Sequence, residues 1–222
     1  MFVFENVLGL QTAKRGEPFA DLKRLVEELG YDMDCKVQVA SQHGVLQNRQ
    51  RVIIVGWKRI VKGIKSPYHY PELPVEKCPY QVLRDLFSDL PVRKAGEGKF
   101  SEVVSYVKPL SEMPYLDKSG IRGQLNFTTQ HVARPTNEND RKIYKIAVDK
   151  WLNEHQRLNY AQLPMELQTH RNTKTFLNRF NVVDPYGCCH TVVAHIAMDG
   201  HYYIYPTLNP TLETVRSITV RE

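Results

Sequence analysis

Three residues near the start of the chain have types suited to proton transfer and to holding negative charge. Glu5 interrupts "FVFENVLGL", residues 2 to 10, which otherwise reads as a buried strand. A carboxylate desolvated there without a partner is costly, so something must meet it. Arg49 and Arg51 stand two residues apart in "QNRQR", at the start of the apolar run "RVIIVGW". If the strand begins early, that spacing puts both guanidinium groups on one face, where they can grip a phosphate or a polarised carbonyl. An acid at the end of one parallel strand and an arginine pair at another fall at the carboxyl edge or in the adjoining loops of an α/β sheet, where ligands collect.

The elements that would position these groups are legible in the pattern. Residues 2 to 7 form an apolar, β-branched run that predicts a strand buried on both faces, broken at Gly9. Phe19, Leu22, Val26 and Leu29 recur at helical spacing, with Gly30 as the stop, so residues 18 to 29 are expected to lie as a helix on the sheet. Residues 33 to 40 alternate as a strand, "SQHGVLQNRQ" makes a polar loop, and "RVIIVGW" is a second fully apolar strand. This order is that of part of an open α/β sheet. The proline- and lysine-rich stretch of residues 58 to 80 reads as a surface linker, followed by a short helix over residues 81 to 90. Residues 91 to 140 are irregular, residues 140 to 156 place Ile143, Ala147 and Trp151 on one helical face, and "HTVVAHIAMDGHYYIY" predicts a β-hairpin turning at Asp199-Gly200.

Composition sets outer bounds. Thirty basic against twenty-four acidic residues give a net charge of +6, which favours anionic partners such as nucleic acid. No apolar run approaches the ~20 residues that span a bilayer, and the start lacks the pattern of a secretion signal, so an intracellular location is expected. Cys35, Cys78, Cys188 and Cys189 have no framework spacing, and reduced thiols are expected. Cys188, Cys189, His190, His195 and His201 cluster in sequence but match no common zinc spacing, so no metal is assigned. His131, Arg134 and Arg141, flanking "PTNEND", are candidates for contacts to base edges or phosphates.

These stretches resemble the DNA cytosine-5 methyltransferases. "FVFENVLGL" is similar to that family's Glu-Asn-Val motif, and "HGVLQNRQRVIIVG" to its Gln-x-Arg-x-Arg motif. "RSITVRE", residues 216 to 222, is similar to the start of the ninth motif, and "HTVVAHIAMDGHYYIYP" to the segment that closes the target-recognition domain. The resemblance implies a partial doubly wound, Rossmann-like α/β sheet in residues 1 to 90. A small irregular α+β target-recognition domain would fill residues 91 to 205, and residues 206 to 222 would return towards the catalytic domain. It implies methylation at C5 of a cytosine flipped out of duplex DNA, with S-adenosylmethionine as methyl donor, in a bacterial restriction-modification system. By the same carry-over Glu5 protonates or hydrogen-bonds the cytosine N3, its pKa raised in a dry site, and Arg51 contacts O2. Arg49 organises the loop or a phosphate, and Asn6 shapes the loop around Glu5. Gln47 and the Thr191-Val192 pair would contact DNA alongside His131 and Arg134.

Some parts of the family pattern are not found. None of the four cysteines follows a proline as the family nucleophile does, and Cys78 precedes one instead. Gly96-Glu97-Gly98 lies too far along for a methyl-donor loop. Leu46 stands where the family often has proline, which predicts a less rigid loop before Gln47. The chain is therefore expected to be the C-terminal portion of the enzyme, inactive alone, acting with the N-terminal portion in cis or as a separate chain. Two other readings stay open: a non-catalytic DNA-binding module, and a relative that methylates tRNA.

Overall fold

A computed structural model describes residues 1–61, 64–65, 67–76, 78–170, 172–193 and 200–222. The chain divides into two compact units, Met1–Pro79 and Tyr80–Glu222. The break precedes the expected boundary at residue 90, because residues 81 to 90 belong to the second unit. Val82 N–H donates to the carbonyl of Gly187, and Leu90 is buried there.

The first unit holds β1 (Phe2–Asn6), the short α1 (Gly9–Thr12), α2 (Glu17–Glu28), β2 (Tyr31–Val39), the two-residue β3 (Gln47–Asn48) and β4 (Gln50–Lys58). The sheet order is β1-β4-β2, with β4 antiparallel to both neighbours. This corrects the parallel arrangement expected for the arginine strand. A ten-residue loop without a crossover helix joins β2 to β4, and such a link returns the chain antiparallel. Centrality explains the apolar run of β4: Val52, Ile54, Val55 and Trp57 are all buried. β1 is instead an edge strand of the sheet and is not buried on both faces, with Val3 63% and Phe4 44% exposed.

Helix α2 covers the sheet as the spacing predicts, with Pro18 in its first turn and Val26 buried. Leu22 and Val26 face Phe2, Phe4, Met33 and Ile54 across an apolar cavity of about 140 Å³. Phe2 lies opposite Gly56 in the ladder, and its ring fills the space where a Cβ would sit, 2.1 Å from Cε1. Gly56→Ala is thus expected to displace the Phe2 ring and cost about 1–3 kcal/mol of stability by overpacking. A thermal melt measures the loss, and Phe2→Ala in the same chain should recover part of it.

The second unit is built on α4 (Glu138–Glu154), begun by Asn137, whose side chain accepts the Asp140 N–H at 2.7 Å. Ile143, Tyr144, Ala147 and Val148 of α4 pack with Leu158, Tyr160, Phe180, Val182, Ile204 and Val215. Trp151, expected on this face, is only partly buried at its rim. Two three-residue strands, β5 (Val103–Ser105) and β6 (Phe127–Thr129), pair antiparallel. The helix α3 (Pro114–Ser119) and a two-residue β7 (Cys189–His190) complete the regular elements. The helix expected over residues 81 to 90 is a single π turn, Val82–Phe87. Of the expected hairpin turn at Asp199-Gly200, Asp199 lies outside the described residues, and Gly200–Tyr202 forms a 3₁₀ turn where strand was expected from His201. Among the described residues no helix is long and apolar enough to cross a membrane.

Candidate functional site

The antiparallel course of β4 brings its first residues beside the last residues of β1, where Asn6 faces Val52. Arg51 therefore stands one step past the end of β1, and its Nε lies 2.6 Å from Glu5 Oε1. Arg51 is also tied to its own strand, donating through Nη1 to the Gln50 carbonyl at 2.7 Å. The side chain of Arg51 is 17% exposed and that of Glu5 52% exposed, so within this chain the carboxyl is solvated and not in the dry site expected for it. The cause is the edge position of β1, whose outer face the described residues leave open. Asn6 Oδ1 accepts the Val7 N–H at 2.8 Å, which turns the chain out of the strand into α1.

The loop before the arginines is braced. His43 bridges the Pro74 carbonyl through Nδ1 and Gln38 Oε1 through Nε2, both at 2.9 Å. Leu46, where the family often has proline, is 3% exposed and packed into the unit. Gln47 and Arg49 are half-buried, linked by an Arg49 N–H to Gln47 carbonyl bond of 3.0 Å.

The remaining candidates lie in the second unit and do not form one site. Thr191 lines a cleft of about 580 Å³ together with His170, Asn172, Phe176, His190 and Tyr203. The Tyr203 hydroxyl donates to the Thr191 carbonyl at 3.2 Å and accepts the Val193 N–H at 3.0 Å, pinning the backbone on either side of Val192. His131 is not a surface group: it is 1% exposed, with Nε2 on the Pro91 carbonyl at 2.8 Å and Nδ1 on Thr219 Oγ1 at 3.1 Å. Both ring nitrogens are used inside the unit, which corrects the expectation that His131 faces DNA. Arg134 is half-buried, its Nη1 close enough to Gly200 that a Cβ there would come within 3.1 Å.

Sequence reasoning missed a buried polar knot formed by "RSITVRE". Arg216 Nη1 and Nη2 each donate to a Glu222 carboxylate oxygen at 2.6 Å, with both side chains 2% exposed. Arg216 Nε reaches the Arg93 carbonyl at 2.9 Å, and the guanidinium lies 4.0 Å from the Tyr205 ring centre. Glu222 Oε2 also accepts the Thr219 N–H at 2.8 Å. The opposite charges of Arg216 and Glu222, with Arg221 also in the stretch, were the signal available.

All four cysteines are free thiols. Burial, with a smaller contribution from adjacent Cys188, pushes the Cys189 thiol up from 9.0 to about 12. The folded state then holds a proton that the unfolded state loses between about pH 9 and pH 12, so this group lowers stability as pH rises through that window. Cys189 is expected to be the slowest of the four to react with a thiol reagent at pH 8, and Cys189→Ala to flatten the alkaline loss of stability in melts. Burial also lowers the pKa of His190, which stacks on Tyr203 and bonds the Tyr202 carbonyl at 2.5 Å. His195 lies outside the described residues.

Comparison with known proteins agrees with this architecture. A family model for C-5 cytosine-specific DNA methylases matches residues 1–222. Type II methyltransferase M.Bpa9945I of Bacillus paralicheniformis is 36% identical over 238 residues, covering 100% of this chain and 50% of that protein. Type II methyltransferase M.MthTI of Methanothermobacter thermautotrophicus is 28% identical over 163 residues, 68% of this chain and 48% of its own length. The chain spans about half the length of these relatives. A solved E. coli structure described as a putative DNA modification methyltransferase encoded within a prophage superposes with a TM-score of 0.51 at 18% identity, covering 98% of this chain and 56% of that one. At that identity the likeness is one of fold. With a single family model running over its whole length, the chain belongs to the C-5 cytosine-specific DNA methylases.

Proposed function

We propose that this chain carries the cytosine-activating pair and the target-recognition unit of an enzyme that methylates C5 of cytosine at a specific site in duplex DNA. In this reading it serves the modification half of a bacterial, cytoplasmic restriction system. The observation that carries the reading is the Glu5–Arg51 contact of 2.6 Å at the end of β1. N3 and O2 of cytosine are separated by one carbon, so a carboxyl and a guanidinium side by side match two neighbouring acceptors. When a thiolate from outside this chain adds to C6, electron density moves from the C5–C6 bond towards N3 and O2. Glu5 gives a proton to N3, and Arg51 donates hydrogen bonds to O2 as charge gathers there. Asn6 and the braced loop before Arg51 hold the two groups in register, with Arg49 towards a phosphate or the loop itself. Thr191 and Val192 sit against the DNA backbone, with Gln47 and Arg134 as further contacts.

S-adenosylmethionine supplies the methyl group, and the Gly96-Glu97-Gly98 turn of this chain does not fit it. Gly98 has φ +95° and meets the His131 carbonyl oxygen, 2.7 Å from where its Cβ would stand, so the Gly96-Glu97-Gly98 turn packs against its own unit. Donor binding and the thiol belong to the N-terminal portion of the enzyme, in cis or as a separate chain, and this chain is inactive alone. The open edge of β1, where Val3 and Phe4 are exposed, is suited to receiving that portion.

The test mixes this chain with the polypeptide that supplies thiol and donor site and follows methyl transfer to duplex DNA. Activity only in the mixture is expected, with duplex DNA and not tRNA competing. Association and DNA binding without transfer would make the chain a non-catalytic binder and overturn the reading.

A further inference from the structure

Phe176 combines two unfavourable features. Its backbone is in the left-handed region at φ +53°, where a bulky side chain is strained, and its ring is 70% exposed to solvent. Neither cost stems from a slack loop. Arg179 clamps the segment from inside, its Nη2 donating to the Asn172 carbonyl at 2.7 Å and to the Thr175 carbonyl at 2.8 Å. Its Nε donates to the Phe176 carbonyl at 2.9 Å, and the guanidinium stacks over Tyr160 at 4.3 Å. The Asn172 side chain accepts the N–H groups of Lys174 and Thr175, both at 3.0 Å. The loop thus holds one apolar ring out in water in a single, pre-formed position.

The setting of the ring indicates its partner. Phe176 lines the cleft of about 580 Å³ that Thr191 also lines, and among the described residues no carboxylate side chain lines it. Cationic or titratable groups surround it: Lys174 is exposed on the same loop, Arg179 and the histidines His170, His190 and His201 line the cleft, and Arg157 acts on His190. A described lining of cationic, imidazole and aromatic side chains beside an exposed phenylalanine suits a polyanion that carries flat π faces.

We infer that Phe176 is a DNA contact of the target-recognition unit, its ring stacking on a base at a step of the bound duplex. The inference rests on the function proposed above and goes beyond it by naming a residue outside every motif. Stacking on an aromatic ring is worth enough that its loss weakens binding by about 5- to 150-fold.

The test uses the full enzyme with its duplex substrate and three variants at position 176. Phe176→Ala is expected to raise the dissociation constant by about tenfold or more. Phe176→Gly should weaken binding equally yet melt at or above the wild-type temperature, because glycine relieves the left-handed strain and little packing is lost. A merely structural phenylalanine would lower both together. Phe176→Trp should keep binding, and its added emission should be quenched when duplex DNA is bound. Wild-type affinity in Phe176→Ala, or a tryptophan signal indifferent to DNA, would overturn the inference while leaving the proposed function intact. Failure of the wild-type enzyme to bind duplex DNA would overturn both.

Discussion

Glu5→Gln in the full enzyme is expected to slow methyl transfer by about 10²- to 10⁴-fold, the range spanned by loss of a general acid. Glutamine keeps the shape of the side chain and can still accept from Arg51, but it has no proton to give to N3. DNA affinity should change far less than the rate, because the contact matters most when charge develops on the ring. A companion change separates charge from geometry. Arg51→Lys retains the positive charge but loses the planar fork that reaches the carboxylate at 2.6 Å, so it should recover only part of what Arg51→Met removes. Single-turnover kinetics on one duplex substrate measure all three.

Glu222→Ala is expected to destabilise the second unit by about 3–5 kcal/mol, because it leaves the Arg216 charge buried without its counter-ion. The pair is 2% exposed on both sides, and the remaining Arg216 partners, the Arg93 and Ser217 carbonyls, satisfy hydrogen bonds without neutralising charge. A thermal melt should show the midpoint falling by on the order of 10 °C. The double variant Arg216→Met with Glu222→Leu should regain much of the loss, since an apolar pair of similar volume avoids desolvating two ions. Equal loss in the single and double variants would mean that packing against Tyr205, and not the charge pair, sets the stability.

The sequence disclosed these features unevenly, and the physics explains where. Helix α2 was legible because Phe19, Leu22 and Val26 follow one face, a local property. The strand β4 was legible for the same reason. Its direction follows from the short loop after β2, which has no crossover helix, and not from the apolar pattern of the strand itself. The burial of β1 could not be read, since apolar residues mark a strand without saying how many neighbours cover it. His131 was misplaced because its partners Pro91 and Thr219 are 40 and 88 residues away, and no local pattern signals such a meeting. Arg216 and Glu222 were visible as a motif but silent as a contact. Phe176 carries no pattern at all; only its backbone angle and exposure single it out.

Residue type and order single out Glu5 and Arg51, and the ladder between β1 and β4 gives their nearness a cause. The account depends on that carboxyl handing a proton to the ring nitrogen beside O2. The most direct measurement is a cycle between Glu5→Gln and a duplex whose target cytosine carries C–H in place of N3. Each change alone should slow methyl transfer by a similar large factor, and the two together should cost little more than either one. Factors that multiply would place Glu5 away from N3 and contradict the account.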